Sequence, residues 1–99
     1  MKTKTKKPYV IIRARDAGCF AGYLEKRDGD CVTLSQARRL WYWAGAASLS
    51  QLAQQGSSNP NTCKFPPPVA RQEVLGVIEI LDTTEKGQIG IEGTPVWRA

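Results

Sequence analysis

The sequence predicts an α+β domain, an antiparallel sheet of about four or five strands with two short helices packed on one face. Three observations support this fold class. Alternating, β-branched runs occur near both ends of the chain, an Asp-Gly pair marks a tight hairpin, and two helix-start signals lie in the middle. With 99 residues, the chain has room for one hydrophobic core. We therefore expect a single domain over residues 9–99, preceded by a disordered basic tail over residues 1–8.

The N-terminal third is predicted to be a three-stranded antiparallel meander. Residues 8–15 alternate around a β-branched centre, and the following turn leads into a second strand over residues 19–25. This second strand should be central, because neither of its faces is fully polar. The Asp-Gly pair then leads into a short third strand over residues 31–33. Gly22, inside the second strand, indicates a close approach of another backbone or a ligand, or else a bulge.

Two near-copies of a helix-start signal follow, TLSQ at residues 33–36 and SLSQ at residues 48–51. In each, a hydroxyl residue precedes by three positions a Gln that can reach back to the first amide, which is the arrangement of a capping box. The signals predict one helix over about residues 34–43 and a second over about residues 49–55. Gly45 and Gly56 would end them, so the two helices should meet at a tight corner.

The C-terminal third is predicted to return to the sheet. Consecutive prolines hold residues 64–69 extended. Residues 72–81 form the longest β-rich run, and they are apolar enough on both faces for a place in the middle of the sheet. Residues 84–93 contain three glycines and are ambiguous between a helical turn and a loop. Residues 94–98 could form an edge strand, where a proline is tolerated.

Composition argues against several functional classes. Fourteen Lys and Arg against nine Asp and Glu give a net charge of +5, which suits an anionic partner, with nucleic acid reached through the basic tail. The chain has no His, and its three Cys lack metal-ligand spacing, so we expect no metal and no cofactor. No paired-carboxylate or Ser/Lys arrangement stands out, so we expect no catalytic residue and no enzyme. No segment is apolar enough for a membrane span.

A ligand-binding site can be argued at the predicted helix corner. The second helix would present free amides beside small side chains, guanidinium groups could hold phosphates, and indoles could stack on a base. The residues predicted to bind the ligand are Arg38, Arg39, Trp41, Trp43, Gly45, Ala46, Ser48, Ser50 and Arg98. A structural explanation is also open, because the serines serve as caps, the small residues allow close packing and the arginines can be solvated.

Three stretches carry a resemblance to a known family: ARRLWYWAGAASLSQLAQQG, AGCFAGYLEKRDGDCVTL and IEGTPVWRA. Over almost the whole chain from Tyr9, the sequence resembles a family of small proteins encoded by tailed bacteriophages and prophages. That family has no assigned functional residues to carry over. The resemblance implies a context only, a phage product made in a host bacterium and located in the host cytoplasm.

These observations lead to a functional expectation. The lead hypothesis is a non-enzymatic phage accessory protein that counters host defence by binding, most directly by sequestering an anionic nucleotide signal at the helix corner. The second is an inhibitor that binds a CRISPR complex, another host defence protein or nucleic acid. The third is a minor protein of the virion or of its assembly. The aromatic run at residues 41–43 and the edge strand also predict a homo-oligomer.

Overall fold

A computed structural model describes residues 7–98 as one five-stranded antiparallel sheet with two helices, which confirms the predicted α+β class. The elements in chain order are β1 (Tyr9–Ala14), β2 (Gly18–Asp28), β3 (Cys31–Arg39), α1 (Leu49–Gln55), a 3₁₀ turn (Pro60–Thr62), β4 (Val69–Val74), β5 (Val77–Asp82) and α2 (Glu85–Gly93). The tail predicted over residues 1–8 falls mostly on residues 1–6, which lie outside the described residues.

The sheet curls so that its two edges meet at one end. Its strand order is β4-β3-β2-β1-β5, which places β4 and β5 at opposite edges. Only Leu75 and Gly76 separate these strands in the chain, and this connection spans about 10 Å at full extension. Gly76 adopts a φ of 74°, and the Val77 amide donates to the Asp30 carbonyl at 2.9 Å. The turn between the edge strands is thereby tied to the tip of the β2–β3 hairpin.

The curled sheet separates two hydrophobic clusters. The inner cluster takes side chains from all five strands, namely Val10, Ile12, Ala14, Phe20, Val32, Leu34, Ala37 and Val74, with Val77 and Ile80 packed against them. The outer cluster lies between the opposite face and the helices, and its members are Tyr9, Ile11, Ala21, Leu40, Leu52, Ala53, Cys63, Phe65 and Ile91. Both helices therefore pack on one face of the sheet, as predicted.

A β-bulge interrupts the pairing of β2 with β3. One residue of β2, Gly22, lies opposite two residues of β3, Gln36 and Ala37. Gln36 adopts a φ of 50°, in the left-handed region. A Cβ on Gly22 would lie 3.0 Å from the Ser35 carbonyl oxygen and 3.2 Å from Ala37 Cα. Gly22 therefore accommodates both a bulge and the close approach of a neighbouring backbone.

The predicted helix over residues 34–43 is wrong, because β3 continues through this segment to Arg39. The bulge explains the misleading pattern. Leu34 and Ala37 both belong to the inner cluster although they are three residues apart. A spacing of three is helical, but it is also a strand spacing of two plus one bulged residue. Pairing with the long strand β2 outweighs the local capping signal.

The helix predicted over residues 49–55 is confirmed as α1. Ser48 caps its first turn, and the chain leaves it at Gly56 with a φ of 72°. The other helix is α2, in a segment that the sequence leaves ambiguous. Thr84 Oγ1 caps α2 by accepting a hydrogen bond from the Gly87 amide at 3.0 Å. The sequence thus predicts the number of helices correctly but the position of only one.

The single central strand predicted over residues 72–81 is also wrong. Gly76 divides the run into β4 and β5, which are the two edge strands of the sheet. The edge strand predicted over residues 94–98 reduces to an isolated parallel bridge between Phe65 and Val96. The meander of β1, β2 and β3 is confirmed, with β2 in the middle of the sheet.

Gly87 lies where α2 contacts α1, and its substitution tests this packing. A Cβ on Gly87 would lie 1.9 Å from the Ala53 carbonyl oxygen, whereas a Cβ on Gly93 would meet nothing within 4 Å. We expect Gly87→Ala to lower the free energy of unfolding by about 3 kcal/mol, because the helices must separate. Gly93→Ala, in the same helix, should cause no loss. Equal stabilities of the two variants in urea unfolding would contradict the helix contact.

Candidate functional site

Arg38, near the end of β3, is the one charged side chain that is buried among residues 7–98, with 4% of its surface exposed. Its Nη1 donates to the carbonyl oxygens of Ile91 and Thr94, both at 2.9 Å. Its Nη2 donates to the Phe65 carbonyl at 2.9 Å and to the Pro95 carbonyl at 3.4 Å. The guanidinium group therefore joins β3 to the extended segment before β4 and to the C-terminal end of α2.

The backbone occupies all donors of this guanidinium group. Arg38 Nε also donates to the Pro66 carbonyl, at 3.5 Å, so the five N–H groups all point at carbonyl oxygens. Within residues 7–98, Arg38 forms no salt bridge, and burial lowers its pKa from the ordinary value. The carbonyls at the end of α2 stabilise the cation, because a helix C-terminus carries partial negative charge. Arg38 therefore has no donor left for a phosphate.

Arg39 lies on the opposite face of β3 from Arg38, because side chains alternate along a strand. Its guanidinium carbon is 4.5 Å from the centroid of the Phe20 ring, and its Nη1 donates to the Ala17 carbonyl at 2.7 Å. Phe20 belongs to the inner cluster, whereas Arg38 packs over a ring of the outer cluster. The two arginines therefore do not share one ligand site, in contrast to the prediction from sequence.

The predicted corner is covered by the loop that precedes the 3₁₀ turn. Gly45 has a φ of 79°, and a Cβ there would lie 2.5 Å from the Asn59 amide nitrogen. The Ser58 amide donates to the Gly45 carbonyl at 3.0 Å, and the Ser57 hydroxyl donates to the Ala44 carbonyl. The small residue at this corner thus accommodates a loop of the same chain, and the space predicted for a ligand is occupied.

The other predicted residues of the corner face different surroundings. Ser48 accepts the amide that caps α1, and Ser50 is exposed on the first turn of this seven-residue helix. Ala46 and Trp43 are partly buried against the outer cluster. These residues do not line one pocket with either arginine of β3. A ligand-binding role for any of them stays a prediction.

An exposed aromatic surface lies where three segments of the chain meet. Tyr42 and Trp97, which are 47% and 43% exposed, flank Lys64. The Lys64 ammonium nitrogen is 5.8 Å from the centroid of the Tyr42 ring and 5.6 Å from that of the Trp97 ring. These three residues are termed the aromatic-lysine patch. Trp41 and Arg98, both among the predicted ligand-binding residues, are exposed and directly adjacent to it in the chain.

Backbone hydrogen bonds hold the aromatic-lysine patch in place. Tyr42 and Lys64 exchange two bonds, at 2.7 and 3.3 Å, in an isolated antiparallel bridge. The Trp97 amide donates to the Phe65 carbonyl at 3.0 Å, and the same carbonyl accepts from Arg38. The three side chains are therefore presented by an ordered backbone, which reduces the entropy lost on binding.

The segments that carry the patch contain no acidic residue. Residues 31–72 contain no Asp or Glu, and neither do residues 94–98. The described salt bridges are Lys7 with Glu25, Arg13 with Glu79 and Arg71 with Glu73. None of them involves the aromatic-lysine patch, so within residues 7–98 no ion pair neutralises the charge of Lys64.

A second concave feature is a cavity of about 300 Å³ on the outer face, beside α2. Tyr9, Tyr23, Arg38 and Glu92 are among the residues that line it. Tyr9 is 5% exposed, and its hydroxyl has no hydrogen-bond partner among the described residues. The Tyr23 hydroxyl donates to the Glu92 carboxylate at 2.8 Å, and this bond raises the pKa of Tyr23. Burial raises the pKa of Tyr9, and the charge of Glu92 adds to the shift.

Only some residues of the aromatic-lysine patch and of the cavity could be predicted from the sequence. Exposed aromatic rings are favoured at contact surfaces, so the run at residues 41–43 and Trp97 could be recognised as candidates. Lys64 gives no signal, because nothing in the sequence places it between two rings. Tyr9 gives none either, since it begins an ordinary β-branched strand. The lack of a partner for its hydroxyl can be recognised only from the three-dimensional structure.

A comparison with protein families places most of these elements in one family. A family model described as a domain of unknown function, DUF6948, matches residues 7–90. The chain belongs to the DUF6948 family. The match covers the sheet and α1 and ends within α2, so Glu92 and Trp97 of this DUF6948 protein lie beyond it. No curated protein and no solved structure gives a significant match.

Further observations on the DUF6948 protein concern metals, membranes and thiols. Nowhere in residues 7–98 do three or more His, Cys, Asp or Glu side chains come together in a way that could hold a metal ion. None of the described helices combines the length and apolar character needed to cross a bilayer. Cys19, Cys31 and Cys63 are free thiols, and burial raises the pKa of Cys19. The Cys19 thiol is therefore protonated at neutral pH.

Arg38→Lys tests the contribution of the buried guanidinium group to the DUF6948 fold. A lysine ammonium group offers three donors in place of five, so carbonyls at the end of α2 lose their partners. We expect the free energy of unfolding to fall by about 3 kcal/mol. Arg39→Lys is the matched control and should lose about 1 kcal/mol, because Arg39 donates to a single carbonyl. Similar losses for both variants in urea unfolding would argue against a special role for Arg38.

Tyr9→Phe tests whether the Tyr9 hydroxyl lacks a partner in the DUF6948 protein. The variant should gain about 1 kcal/mol, because it removes a buried hydroxyl that is hydrated only in the unfolded chain. Because the folded pKa of Tyr9 is raised, Tyr9 ionises first in the unfolded chain, so the free energy of unfolding of the wild type falls as the pH rises above the unfolded pKa of about 10. The advantage of the variant should therefore grow above about pH 10. Thermal unfolding over this range measures it, and a lower melting temperature for the variant would show that the hydroxyl is satisfied.

Proposed function

We propose that this protein is a non-enzymatic binding protein that holds an anionic nucleotide ligand on the aromatic-lysine patch. One observation carries the proposal: the Lys64 ammonium group lies over two exposed rings, and no carboxylate of the described residues pairs with it. A nucleotide combines a flat base with a negatively charged phosphate. The patch offers a ring face for the base and a cation for the phosphate.

Stacking and charge each supply a useful contribution to such binding. A base stacked on an exposed aromatic ring contributes about 1–3 kcal/mol. A phosphate about 4 Å from an ammonium group at a protein surface gains about 4 kcal/mol, before desolvation and salt reduce it. Tyr42 and Trp97 present two rings, whose centroids lie 5.8 and 5.6 Å from the Lys64 ammonium nitrogen. A ligand with more than one base therefore uses the patch more fully than a mononucleotide.

The proposal involves binding without catalysis. The sequence contains no His, and no carboxylate belongs to the aromatic-lysine patch. General acid and base chemistry would need such a group beside the ligand. A surface that stacks a base and holds a phosphate retains its ligand unchanged, which is what sequestering requires.

The resemblance to phage proteins suggests a biological context for this binding. In that context the protein acts in the cytoplasm of the host bacterium and counters defence by sequestering a nucleotide signal. Inhibition of a CRISPR complex or another defence protein is the alternative, and a minor role in the virion or its assembly is a third. The open form of the patch favours single-stranded nucleic acid as the second candidate ligand, because a strand can cross two separate rings.

Self-association is part of the proposal. Both β4 and β5 are edge strands, and each therefore has one side of unpaired backbone groups. Val69, Leu75 and Ile78, on or between these strands, are exposed apolar residues. An apolar edge of this kind can pair with the same edge of a second copy, which supports a homo-oligomer.

Lys64→Ala and Trp97→Ala test the aromatic-lysine patch. Calorimetric titration of the full chain with a cyclic dinucleotide, ADP-ribose and a short oligothymidylate identifies which ligand binds. For that ligand, each variant should weaken binding by about tenfold, because it removes a phosphate contact or a stacking surface. Tight binding of the oligothymidylate with a steep dependence on salt would favour the nucleic-acid candidate.

Lys86→Ala is the charge-matched control for Lys64→Ala, because Lys86 is an exposed lysine on the first turn of α2. It should bind as the wild type does. Failure of all three ligands to bind would contradict the proposal. Equal losses with Lys64→Ala and Lys86→Ala would also contradict it, since only the net charge of the protein would then matter.

A further inference from the structure

The cavity beside α2 contains a polar group that the aromatic-lysine patch does not use. Tyr9 is one of the residues that line this cavity, and its buried hydroxyl has no partner among residues 7–98. Such groups are rare in folded proteins and unfavourable, so their presence indicates a missing ligand or water. The volume of about 300 Å³ lies at the lower end of the range for small-molecule sites and far exceeds the space of one water molecule.

The cavity combines a hydrogen-bonded carboxylate with apolar surfaces. Glu92 accepts from the Tyr23 hydroxyl at 2.8 Å and from Gln88 Nε2 at 3.3 Å. Gln88 Nε2 also lies 3.2 Å from the Tyr23 oxygen, which closes a small network. Pro68 and Val96 supply the apolar surfaces. The carboxylate is therefore oriented by two hydrogen bonds and keeps acceptor capacity for a ligand.

Gln36 brings a side-chain amide to the mouth of the cavity. It occupies the bulge of β3 with a positive φ, lines the cavity and remains exposed to solvent. Its side chain offers both a donor and an acceptor. The bulge thus adds an adaptable hydrogen-bonding group where a ligand would enter.

The charges that line the cavity balance. Arg38 contributes one positive charge and Glu92 one negative charge. All N–H groups of Arg38 are already bonded to backbone carbonyls. A phosphate at this place would approach Glu92 and find no free cationic donor. A neutral ligand is not repelled by Glu92 and needs no cationic donor.

We infer that this cavity binds a neutral heterocycle of nucleobase size, with a cyclic amide edge between Tyr9 and Glu92. The Tyr9 hydroxyl donates to the carbonyl oxygen of the ligand, and the ligand N–H donates to the Glu92 carboxylate. The ring lies against Pro68 and Val96, and Gln36 bonds its exposed side. The site is separate from the aromatic-lysine patch, so the inference does not depend on the proposed function.

Uracil, uridine and uridine monophosphate are suitable probes for the full chain. In NMR titrations, uracil and uridine should shift the amide signals of Tyr9, Tyr23 and Glu92. Tyr9→Phe should weaken uridine binding by about tenfold, because the ligand loses its buried donor. Uridine monophosphate should bind no more tightly than uridine, because the phosphate gains no contact.

Two further variants complete the test. Thr62→Val removes a hydroxyl from the exposed 3₁₀ turn and should leave uridine binding unchanged. Gln36→Asn keeps a residue that tolerates a positive φ while shortening the amide, so it should weaken binding and tests the cavity independently of Tyr9→Phe. Unchanged binding in both cavity variants would overturn the inference and leave an ordered water as the partner of Tyr9.

Three other outcomes would also overturn the inference. The first is that no probe shifts any signal at about millimolar concentration. The second is that uridine monophosphate binds more tightly than uridine, which would mean that a cationic site dominates. The third is that Lys64→Ala abolishes uridine binding, which would locate the ligand on the aromatic-lysine patch. That last result would leave the proposed function intact, so the two proposals can fail separately.

Discussion

The arrangement of this fold depends on the buried Arg38 guanidinium group and the backbone carbonyls around it. An uncompensated buried charge costs several kcal/mol, and the carbonyl groups at the end of a helix need hydrogen-bond donors. The guanidinium group and the carbonyl groups meet both requirements by bonding to each other. This exchange holds α2 and the segment before β4 against the sheet. This arrangement requires the bulge at Gln36. Leu34 faces the inner cluster, so strict alternation of side chains would point residue 38 towards the inner cluster as well. The extra residue in β3 shifts the alternation of side chains by one position, so Arg39 faces the inner cluster instead of Arg38.

The sequence predicts those parts of the fold that are determined by residues close together in the chain. Strand alternation, an Asp-Gly turn and a capping box are sufficient for β1, the β2–β3 hairpin and α1. The course of β3 is not predictable in this way, because one bulged residue converts strand spacing into helical spacing. In α2, three glycines argue against a helix by propensity. Two of them, Gly87 and Gly90, lie against the backbone of α1 or the residue that ends it, so tertiary packing explains their presence.

The candidate sites are less predictable, because each combines residues from distant segments. Trp97 and Tyr42 could be suspected as exposed rings, but only the backbone bridges of the fold place Lys64 over both of them. Arg38 could be selected for its chemistry, but sequence does not distinguish a guanidinium group that faces a ligand from one enclosed by carbonyls. The hydroxyl of Tyr9 is unpartnered because none of the described neighbouring elements places a hydrogen-bond partner beside it. A property of that kind has no sequence pattern.

The pairing of β5 with β1 has a consequence for how the chain assembles during synthesis. The Arg13–Glu79 contact joins positions 66 residues apart, so β1 acquires its second neighbour only when most of the polypeptide exists. At about 5–20 residues per second, the apolar run at residues 10–12 waits several seconds with one side unpaired after leaving the ribosome. An uncovered strand is a template for unwanted association. The free edge of β1 is therefore accessible to other chains until β5 has been synthesised.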